Sequence, residues 1–290
     1  MSKIHSTAII EEGAQIGDNV TIEPYAIIKS AVKIKDNVTV KAHAYIEGYT
    51  TIGKGCVIWP YASIGAKPQD LKYRGEKTFV EIGENTEIRE FVTINSSCSE
   101  GSVVKIGDKC LIMAYCHVAH NCSIGNGVIM ANNSMLAGHV TVEDYAIIGG
   151  FTPVHQFCRI GRYSMVGGFS RVSHDVPPYT IGGGYPYRFG GLNLVGLKRH
   201  KFSLEVRKKL SQAFKITFRM NLRLKEAIAK IEKEIELIPE VSNWLSFCKS
   251  TKRGLLCLQG ISQNELEEKD EEKELIKDLK QMSSLKAQQT

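Results

Sequence analysis

The sequence lacks any long apolar run. Its amino-terminal segment, MSKIHSTAIIEEGAQ, is too polar for a signal peptide. No stretch approaches the roughly 18 apolar residues that a membrane-spanning helix needs. These absences predict a cytoplasmic protein with no membrane span.

The sequence also has no strong excess of charge of one sign. Its net charge of +6 favours anionic partners such as phosphates, nucleic acid or an acidic carrier protein, without choosing among them. The apolar fraction of 43% and the charged fraction of 23% are ordinary for globular proteins. At 290 residues, the chain is long enough for one or two domains with a sizeable core.

A six-residue repeat dominates the first two thirds of the chain. Starting at Ile4 and stepping by six to Val172, Ile, Val, Leu or Met occupies 26 of 29 positions. The three exceptions are Asp70, Glu76 and Glu100. An amphipathic helix repeats every 3.6 residues, so a period of six sustained over this length excludes it.

A second series follows four residues after the first. It runs from Ala8 to Val176 and holds only Ala, Val, Thr, Ser or Cys at 27 of 29 positions. Residues an even number apart lie on one face of a strand, so each hexad is a short strand with one buried face. One coil cannot bury that face alone, so the hexads predict a stacked parallel β-solenoid. Their resemblance to hexapeptide-repeat acyltransferases implies three hexads, or 18 residues, per coil and thus roughly nine or ten coils.

The cysteines carry no predicted metal site. Six of them, including Cys98, fall on the small-residue series, where cysteine behaves as a small buried apolar side chain. Consecutive hexads face different sides of the solenoid, which separates Cys110, Cys116 and Cys122. We therefore predict that the protein binds no metal.

The interruptions of the repeat predict two external loops and a change of structure. The loops cover residues 66–79 and 96–102, and both preserve the six-residue phase. The period ends after Val176 in a turn-rich segment. Ser203 is then a predicted helix N-cap, and further helical patterns cover residues 223–237 and 240–249.

These patterns give a mainly β architecture in three parts. Residues 1–190 are predicted to form the β-helix, residues 191–260 a small α-helical C-terminal domain, and residues 261–290 a charged tail that is either a marginal helix or disordered.

Four histidines share one position in the 18-residue coil. His120 and His174 differ by three coils, while His139 and His155 lie one residue to either side of that register. We expect all four along one edge of the solenoid, with His117 close by. The alternatives are solvated corner side chains and metal ligands, but no carboxylate accompanies the column at ligand spacing.

An edge of imidazoles suits acyl transfer from a thioester to a hydroxyl group. A neutral imidazole can remove the hydroxyl proton at neutral pH. The backbone N–H of Gly138, one coil above His120, could stabilise the oxyanion, and the loop with Asp70 and Lys72 could anchor the acceptor. Direct transfer needs no serine or cysteine nucleophile.

Several segments resemble the UDP-N-acetylglucosamine O-acyltransferase family, which catalyses the first step of lipid A synthesis. The resemblance covers residues 1–256. It is carried by KPQDLKY (67–73), IGENTEIRE (82–90), CHVAHNCSIGN (116–126), LAGHVTV (136–142), AIIGGFTPVHQF (146–157), DVPPY (175–179) and GLNLVGLKRH (191–200). It implies a left-handed β-helix, a homotrimer with the active site between subunits, and a donor acyl group carried on the phosphopantetheine of acyl carrier protein, with no other cofactor.

The resemblance also implies roles for individual residues. His120 would be the general base and Gly138 the oxyanion donor. Gly168 would set the depth of the acyl groove, and glycine there implies a long acyl or 3-hydroxyacyl chain. The remaining substrate-binding residues would be Asp70, Lys72, His117, His139, His155, Gln156, Asn193 and Arg199.

One departure from the family and two rival functions stay open. Many relatives carry Asp directly after the catalytic histidine, whereas this chain has Asn121, so the role of a supporting carboxylate is in doubt. The chain length and the role of the tail are not defined by the sequence. The nearest alternative function is a related N-acyltransferase acting on an amino-sugar nucleotide, and a more distant one is a silent or zinc-carrying β-helix.

Overall fold

The computed structural model describes residues 1–255 of the chain. The predicted tail, 261–290, lies outside the described residues, as does the end of the predicted helical domain. Residues 1–176 wind into a left-handed parallel β-helix with three short strands per coil, as the repeat and the resemblance predicted.

The strands stack into three sheets, and within the β-helix the neighbours in each sheet are three strands apart in sequence. The parallel strands of sheet 1 are β1 (Lys3–Ile4), β4 (Thr21–Ile22), β7 (Thr39–Val40), β10 (Val57–Ile58), β13 (Glu87–Ile88), β16 (Leu111–Ile112), β19 (Ile129–Met130), β22 (Ile147–Ile148) and β25 (Met165–Val166). Sheet 2 contains β2 (Ile9–Ile10), β5 (Ile27–Ile28), β8 (Tyr45–Ile46), β11 (Ser63–Ala66), β14 (Thr93–Asn95), β17 (His117–Val118), β20 (Met135–Leu136) and β23 (Pro153–Val154). Sheet 3 contains β3 (Gln15–Ile16), β6 (Lys33–Ile34), β9 (Tyr49–Ile52), β12 (Phe79–Ile82), β15 (Val103–Ile106), β18 (Ser123–Ile124), β21 (Thr141–Val142) and β24 (Arg159–Ile160).

The core is a column of the two predicted series. Ile58, Ile88 and Ile112 of sheet 1 are fully buried and pair in register from coil to coil. Small residues such as Val92 and Cys116 fill the space at the corners and are likewise buried. Alternating large and small inward residues explain why a period of six produces a closely packed prism.

Both predicted loops leave the prism at the same corner. The first joins β11 to β12 and the second joins β14 to β15, so each replaces the turn from sheet 2 to sheet 3. The loops are tied together, since the Gly101 N–H donates to the Lys77 carbonyl (2.9 Å) and the Lys77 N–H donates to the Glu100 carboxylate (2.8 Å). This corner is the one that carries His120.

The segment after Val176 contains a hairpin that the sequence did not predict. β26 (Thr180–Gly183) pairs in parallel with β25 and antiparallel with β27 (Arg188–Leu192), which extends sheet 1 beyond its last coil. The predicted domain boundary at residue 190 falls within β27. The domain boundaries themselves stay predictions.

Within residues 1–255, four helices follow the hairpin. They are α1 (Leu194–Arg199), α2 (Leu204–Arg219), α3 (Leu224–Glu234) and α4 (Pro239–Lys249). The Ser203 hydroxyl accepts from the Val206 N–H, which confirms the predicted N-cap of α2. The helices pack around Trp244, whose indole N–H donates to the Thr217 hydroxyl (3.2 Å).

The two ends of the β-helix differ in how they are covered. At the C-terminal end, Val172 and Val176 are fully buried, and the Arg159 guanidinium lies 4.1 Å from the Phe247 ring centre of α4. At the other end, Ile4 and Ile9 of the first coil are about half exposed. Among residues 1–255, no helix combines the length and apolar character needed to cross a membrane.

Candidate active site

His120 lies in the turn between β17 and β18, at the corner of sheets 2 and 3. Its Nδ1 is 2.9 Å from the side-chain oxygen of Asn121. Because an amide oxygen only accepts hydrogen bonds, this contact places the imidazole proton on Nδ1 and leaves the Nε2 lone pair free. The sequence left the role of Asn121 open, and in the structure its amide orients the ring without contributing charge.

Gly138 packs against the ring of His120 from the next coil. A Cβ atom at this position would lie 2.5 Å from His120 Nε2, so any larger residue would displace the ring. Within residues 1–255, the Gly138 N–H has no hydrogen-bond acceptor. By contrast, Arg162, which holds the equivalent position in the turn after β24, donates its N–H to the Glu143 carboxylate. A free N–H next to Nε2 suits the predicted oxyanion contact.

The first loop brings a carboxylate to the same place. Asp70 Oδ2 lies 3.8 Å from His120 Nε2, and Asp70 Oδ1 accepts from the Lys72 N–H (2.8 Å). That backbone hydrogen bond, followed by the nearby His120, lowers the pKa of Asp70. Lys72 itself is exposed at the edge of the site. The prediction that no carboxylate accompanies the histidines is wrong, because the loop folds back over the corner and brings Asp70 to His120.

Two of the predicted histidines flank His120. The ring of His139 meets that of His120 edge to face, with centroids 5.2 Å apart, and stacks on Phe157. His117 Nδ1 contacts the Thr93 hydroxyl at 2.7 Å. Burial, followed by the charge of His120, lowers the pKa of both flanking histidines. They are therefore neutral at pH 7 and can act as hydrogen-bonding groups towards a substrate.

A cavity of about 320 Å³ opens in front of His120. This volume is at the lower end of the range for small-molecule pockets, so the cavity can hold part of a larger substrate. It is lined by Gln69, Asn95, His117, Ala119, His120, Met135, Leu136, Ala137, Gly138, Pro153 and Val154.

His155, Gln156 and His174 do not join the histidine cluster, contrary to the expectation that four imidazoles would meet. His155 contacts the Gln156 carbonyl (3.1 Å), and His174 contacts the Ser173 hydroxyl (3.0 Å). These residues lie at the same corner, two or three coils further towards the C-terminal end of the β-helix. His155 and Gln156 are exposed. The shared position in the coil was predicted correctly, but stacking along the column keeps the rings apart.

Gly168 lies at a different corner from His120. It is in the turn after β25, where sheet 1 passes to sheet 2. A Cβ there would lie 3.2 Å from the Gly150 carbonyl oxygen and 3.6 Å from the Gly150 nitrogen, with no other residue within 4 Å among those described. The outer face of sheet 2 joins the two corners and carries Met135 and Pro153, both exposed. An apolar strip therefore connects the cavity with the Gly168 corner.

Asn193 and Arg199 lie at opposite ends of α1. Asn193 is buried and has a structural part, since its Oδ1 caps the helix at the Gly196 N–H and its Nδ2 donates to the Tyr163 carbonyl. Arg199 is exposed in the last turn, beside the exposed Lys198 and Lys201. A substrate contact by either Asn193 or Arg199 stays a prediction.

Two further residues, Cys98 and Asn95, lie at the site although the sequence did not predict them there. Cys98 is not a core residue. It lies half-buried in the second loop, with Sγ 2.9 Å from Asn121 Oδ1 and 3.4 Å from His120 Nδ1. Asn95 is buried at the cavity, and its Oδ1 has no partner among residues 1–255. The break in the repeat at Glu100 was the signal that Cys98 had left the core series.

Models of two protein families match parts of the chain. Residues 175–256 match the second domain of UDP N-acetylglucosamine O-acyltransferase. Residues 31–66 and 104–138 match the bacterial transferase hexapeptide repeat. The first match covers the hairpin and helices, and the second lies within the β-helix.

Curated relatives and solved structures extend the likeness over most of the chain. An acyl-[acyl-carrier-protein]–UDP-N-acetylglucosamine O-acyltransferase of Chlamydia abortus is 56% identical over 94% of this chain and 98% of its own length. One from Chlamydia muridarum is 62% identical over 88% of this chain and 91% of its own. The crystal structure of a UDP-N-acetylglucosamine acyltransferase from Bacteroides fragilis is 41% identical, with a TM-score of 0.85, and covers 87% of this chain and 99% of that one. A Campylobacter jejuni acyltransferase structure gives 44% identity and a TM-score of 0.82, and covers 87% of this chain and 98% of its own.

Proposed function

Because the chain belongs to the UDP-N-acetylglucosamine O-acyltransferase family, we propose that it transfers a long 3-hydroxyacyl group from acyl carrier protein to the 3-hydroxyl of UDP-N-acetylglucosamine. This reaction is the first step of lipid A biosynthesis. The observation that carries the proposal is that His120 lines a cavity, with its Nδ1 engaged by Asn121 and with the backbone N–H of Gly138, unpaired within residues 1–255, one coil above. A homotrimer and a cytoplasmic location are part of the same proposal.

The chemistry needs one base and one donor. His120 Nε2 removes the proton of the sugar hydroxyl while its oxygen attacks the thioester carbonyl carbon. The Gly138 N–H hydrogen-bonds the oxyanion that forms. When the intermediate collapses, the C–S bond breaks, the ester forms, and the imidazolium returns its proton to the departing phosphopantetheine thiolate. Asn121 holds the ring in the required tautomer throughout.

The surroundings of His120 suit the two substrates. Asp70, His117, His139 and Asn95 supply hydrogen-bonding groups for a sugar next to the base. The strip formed by Met135 and Pro153 suits an acyl chain that extends towards the Gly168 corner. We infer that His155 and Gln156, higher on the His120 corner, contact the substrates at the edge of this site.

The exposed basic residues at the end of α1 suit an acidic carrier protein. Lys198, Arg199 and Lys201 are exposed, whereas the His200 ring packs against Tyr145 and Tyr163. We propose that Arg199 contacts the carrier or its phosphopantetheine and that Asn193 serves the nucleotide. Steering of this kind weakens as the salt concentration rises.

The proposal is tested by assaying the purified protein with UDP-N-acetylglucosamine and a panel of acyl carrier protein thioesters. We expect O-acylation with a preference for long 3-hydroxyacyl chains. In His120→Ala, kcat should fall by roughly 10²- to 10⁴-fold, while the size of the oligomer on a sizing column stays unchanged. Transfer only to the corresponding 3-amino sugar nucleotide would instead identify an N-acyltransferase, and dissociation of the oligomer in His120→Ala would make this residue structural.

A further inference from the structure

Cys98 places a thiol beside two imidazoles at the catalytic corner. Its sulfur and one ring nitrogen from each of His120 and His139 lie within 4.8 Å of one another. Tetrahedral zinc has Zn–S bonds of about 2.3 Å and Zn–N bonds of about 2.1 Å, which set S···N and N···N separations of roughly 3.6 and 3.4 Å. Cys98 Sγ is already 3.4 Å from His120 Nδ1. Movements of about 1 Å would bring the third ligand into range.

The scaffold supplies both rigid and adjustable ligands. His120 and His139 occupy adjacent coils, and the His139 N–H donates to the His120 carbonyl (3.0 Å). Cys98 lies in the loop 96–102, outside the parallel strands, where a small adjustment does not disturb the core. All three side chains are half-buried, so the set can be reached from solvent.

The chemistry of the set favours zinc over hard cations. A thiol that loses its proton on binding and two imidazoles match the ligands of zinc sites, whereas Mg²⁺ and Ca²⁺ select oxygen. A water molecule can complete the tetrahedral coordination. The absence of a metal was predicted on the premise that Cys98 faces the core and that no carboxylate is near, but Cys98 contacts His120 and Asp70 lies beside the same ring.

We propose that Cys98, His120 and His139 form a Zn²⁺ site in which the metal occupies the general base and thereby reversibly inhibits acyl transfer. The inhibitory consequence rests on the proposed function, whereas metal binding does not. Zinc bound to His120 disturbs its contact with Asn121 and competes for the imidazole that must accept the hydroxyl proton. The site is a regulatory or inhibitory one, since acyl transfer by a histidine base requires no metal.

Metal binding is tested with Co²⁺ as a spectroscopic probe and Zn²⁺ as the competitor. We expect wild-type protein to show a thiolate-to-cobalt charge-transfer band that Zn²⁺ abolishes. The band should be lost in Cys98→Ser, with zinc affinity weaker by roughly tenfold or more. The matched control is Cys257→Ser, which removes a thiol outside the described residues and should keep the band.

Activity gives the second readout. Zn²⁺ should inhibit the wild type and Cys257→Ser, EDTA should restore both, and Cys98→Ser should need roughly tenfold more zinc for the same inhibition. A wild type without the charge-transfer band, or Cys98→Ser with unchanged zinc affinity and sensitivity, overturns the proposal. If no acyl transfer is found with any substrate, the cobalt spectrum still decides the metal site, so that failure is distinct from failure of the proposed function.

Discussion

Substituting Gly138 by alanine should displace the ring of His120 without altering its chemistry. The added Cβ would lie 2.4 Å from His120 Cε1 and 2.5 Å from Nε2, whereas ordinary contact begins at 3.4 Å. The ring must therefore retreat by about 1 Å. Gly138 does not have a left-handed φ, so alanine introduces no backbone strain. The substitution also keeps the N–H that is proposed to bind the oxyanion.

The expected loss follows from the displacement of the base. A misplacement of about 1 Å at a reacting group costs roughly 10²-fold in rate, or about 2.7 kcal/mol in the barrier. We expect kcat to fall by this factor, with a smaller change in KM for UDP-N-acetylglucosamine. Initial rates at saturating acyl carrier thioester measure both constants, and thermal melting checks that the fold is retained.

The control and the double variant sharpen this test. Gly190→Ala, on β27, adds a Cβ at an ordinary 3.5 Å from the Ile181 carbonyl and should leave kcat unchanged. The double variant Gly138→Ala/His120→Ala should be no slower than His120→Ala, because both changes act on one base. Full kcat in Gly138→Ala would refute the argument that the position of this ring governs the rate.

Three further predictions address the acyl groove, the acceptor and the pH dependence. Gly168→Met should shorten the preferred acyl chain, and an unchanged chain-length profile would discard the assignment of this residue to the groove. Asn95→Ala removes a buried, unpartnered acceptor at the cavity and should raise KM for UDP-N-acetylglucosamine by roughly 5- to 100-fold, whereas an unchanged KM would exclude that contact. Burial lowers the pKa of His117 below its ordinary value of 6.5. Below that pH, this side chain therefore binds protons more readily in the unfolded chain than in the folded protein. Stability should therefore fall as the pH drops below that value, and urea unfolding should show a shallower loss in His117→Gln than in the wild type or in the exposed-surface control His5→Gln.

The coil geometry could be predicted from the sequence because every coil repeats the same constraint. The six-residue period predicts which residues face inward, and with three hexads per coil it also places inward residues such as Ile112 and Met130 directly above one another. The helix start at Ser203 was equally local, since capping depends on a few neighbouring residues. Handedness and the number of faces came from resemblance, because the period does not determine them.

The hairpin could not be predicted because its strands have little strand character of their own. The segment RFGGL forms β27 although it holds two glycines, which normally weaken a strand. Its partner β26 is held by pairing with β25, where Met165 lies beside Ile181. The open edge of the last coil therefore induces a structure that the local sequence does not favour.

The candidate site was predicted in part for the same reason. The position within the coil correctly brought His139 to His120, since both belong to the repeating scaffold. Asp70 and Cys98 reach His120 from loops, whose paths are not constrained by the period. His155 and His174 share the corner with His120 but do not contact it, because they lie about two and three coils further along the β-helix.

The half-exposed first coil has a consequence for how the molecule opens. In a solenoid each coil is stabilised by its neighbours, so fraying starts where one neighbour is absent and the side chains are least buried. Ile4 and Ile9 mark that end, whereas His120 follows the sixth strand of sheet 2. Amide hydrogen exchange should therefore be fastest in the first coil and slow around the histidines. We therefore expect the surroundings of His120, the proposed general base, to stay intact while the first coil opens.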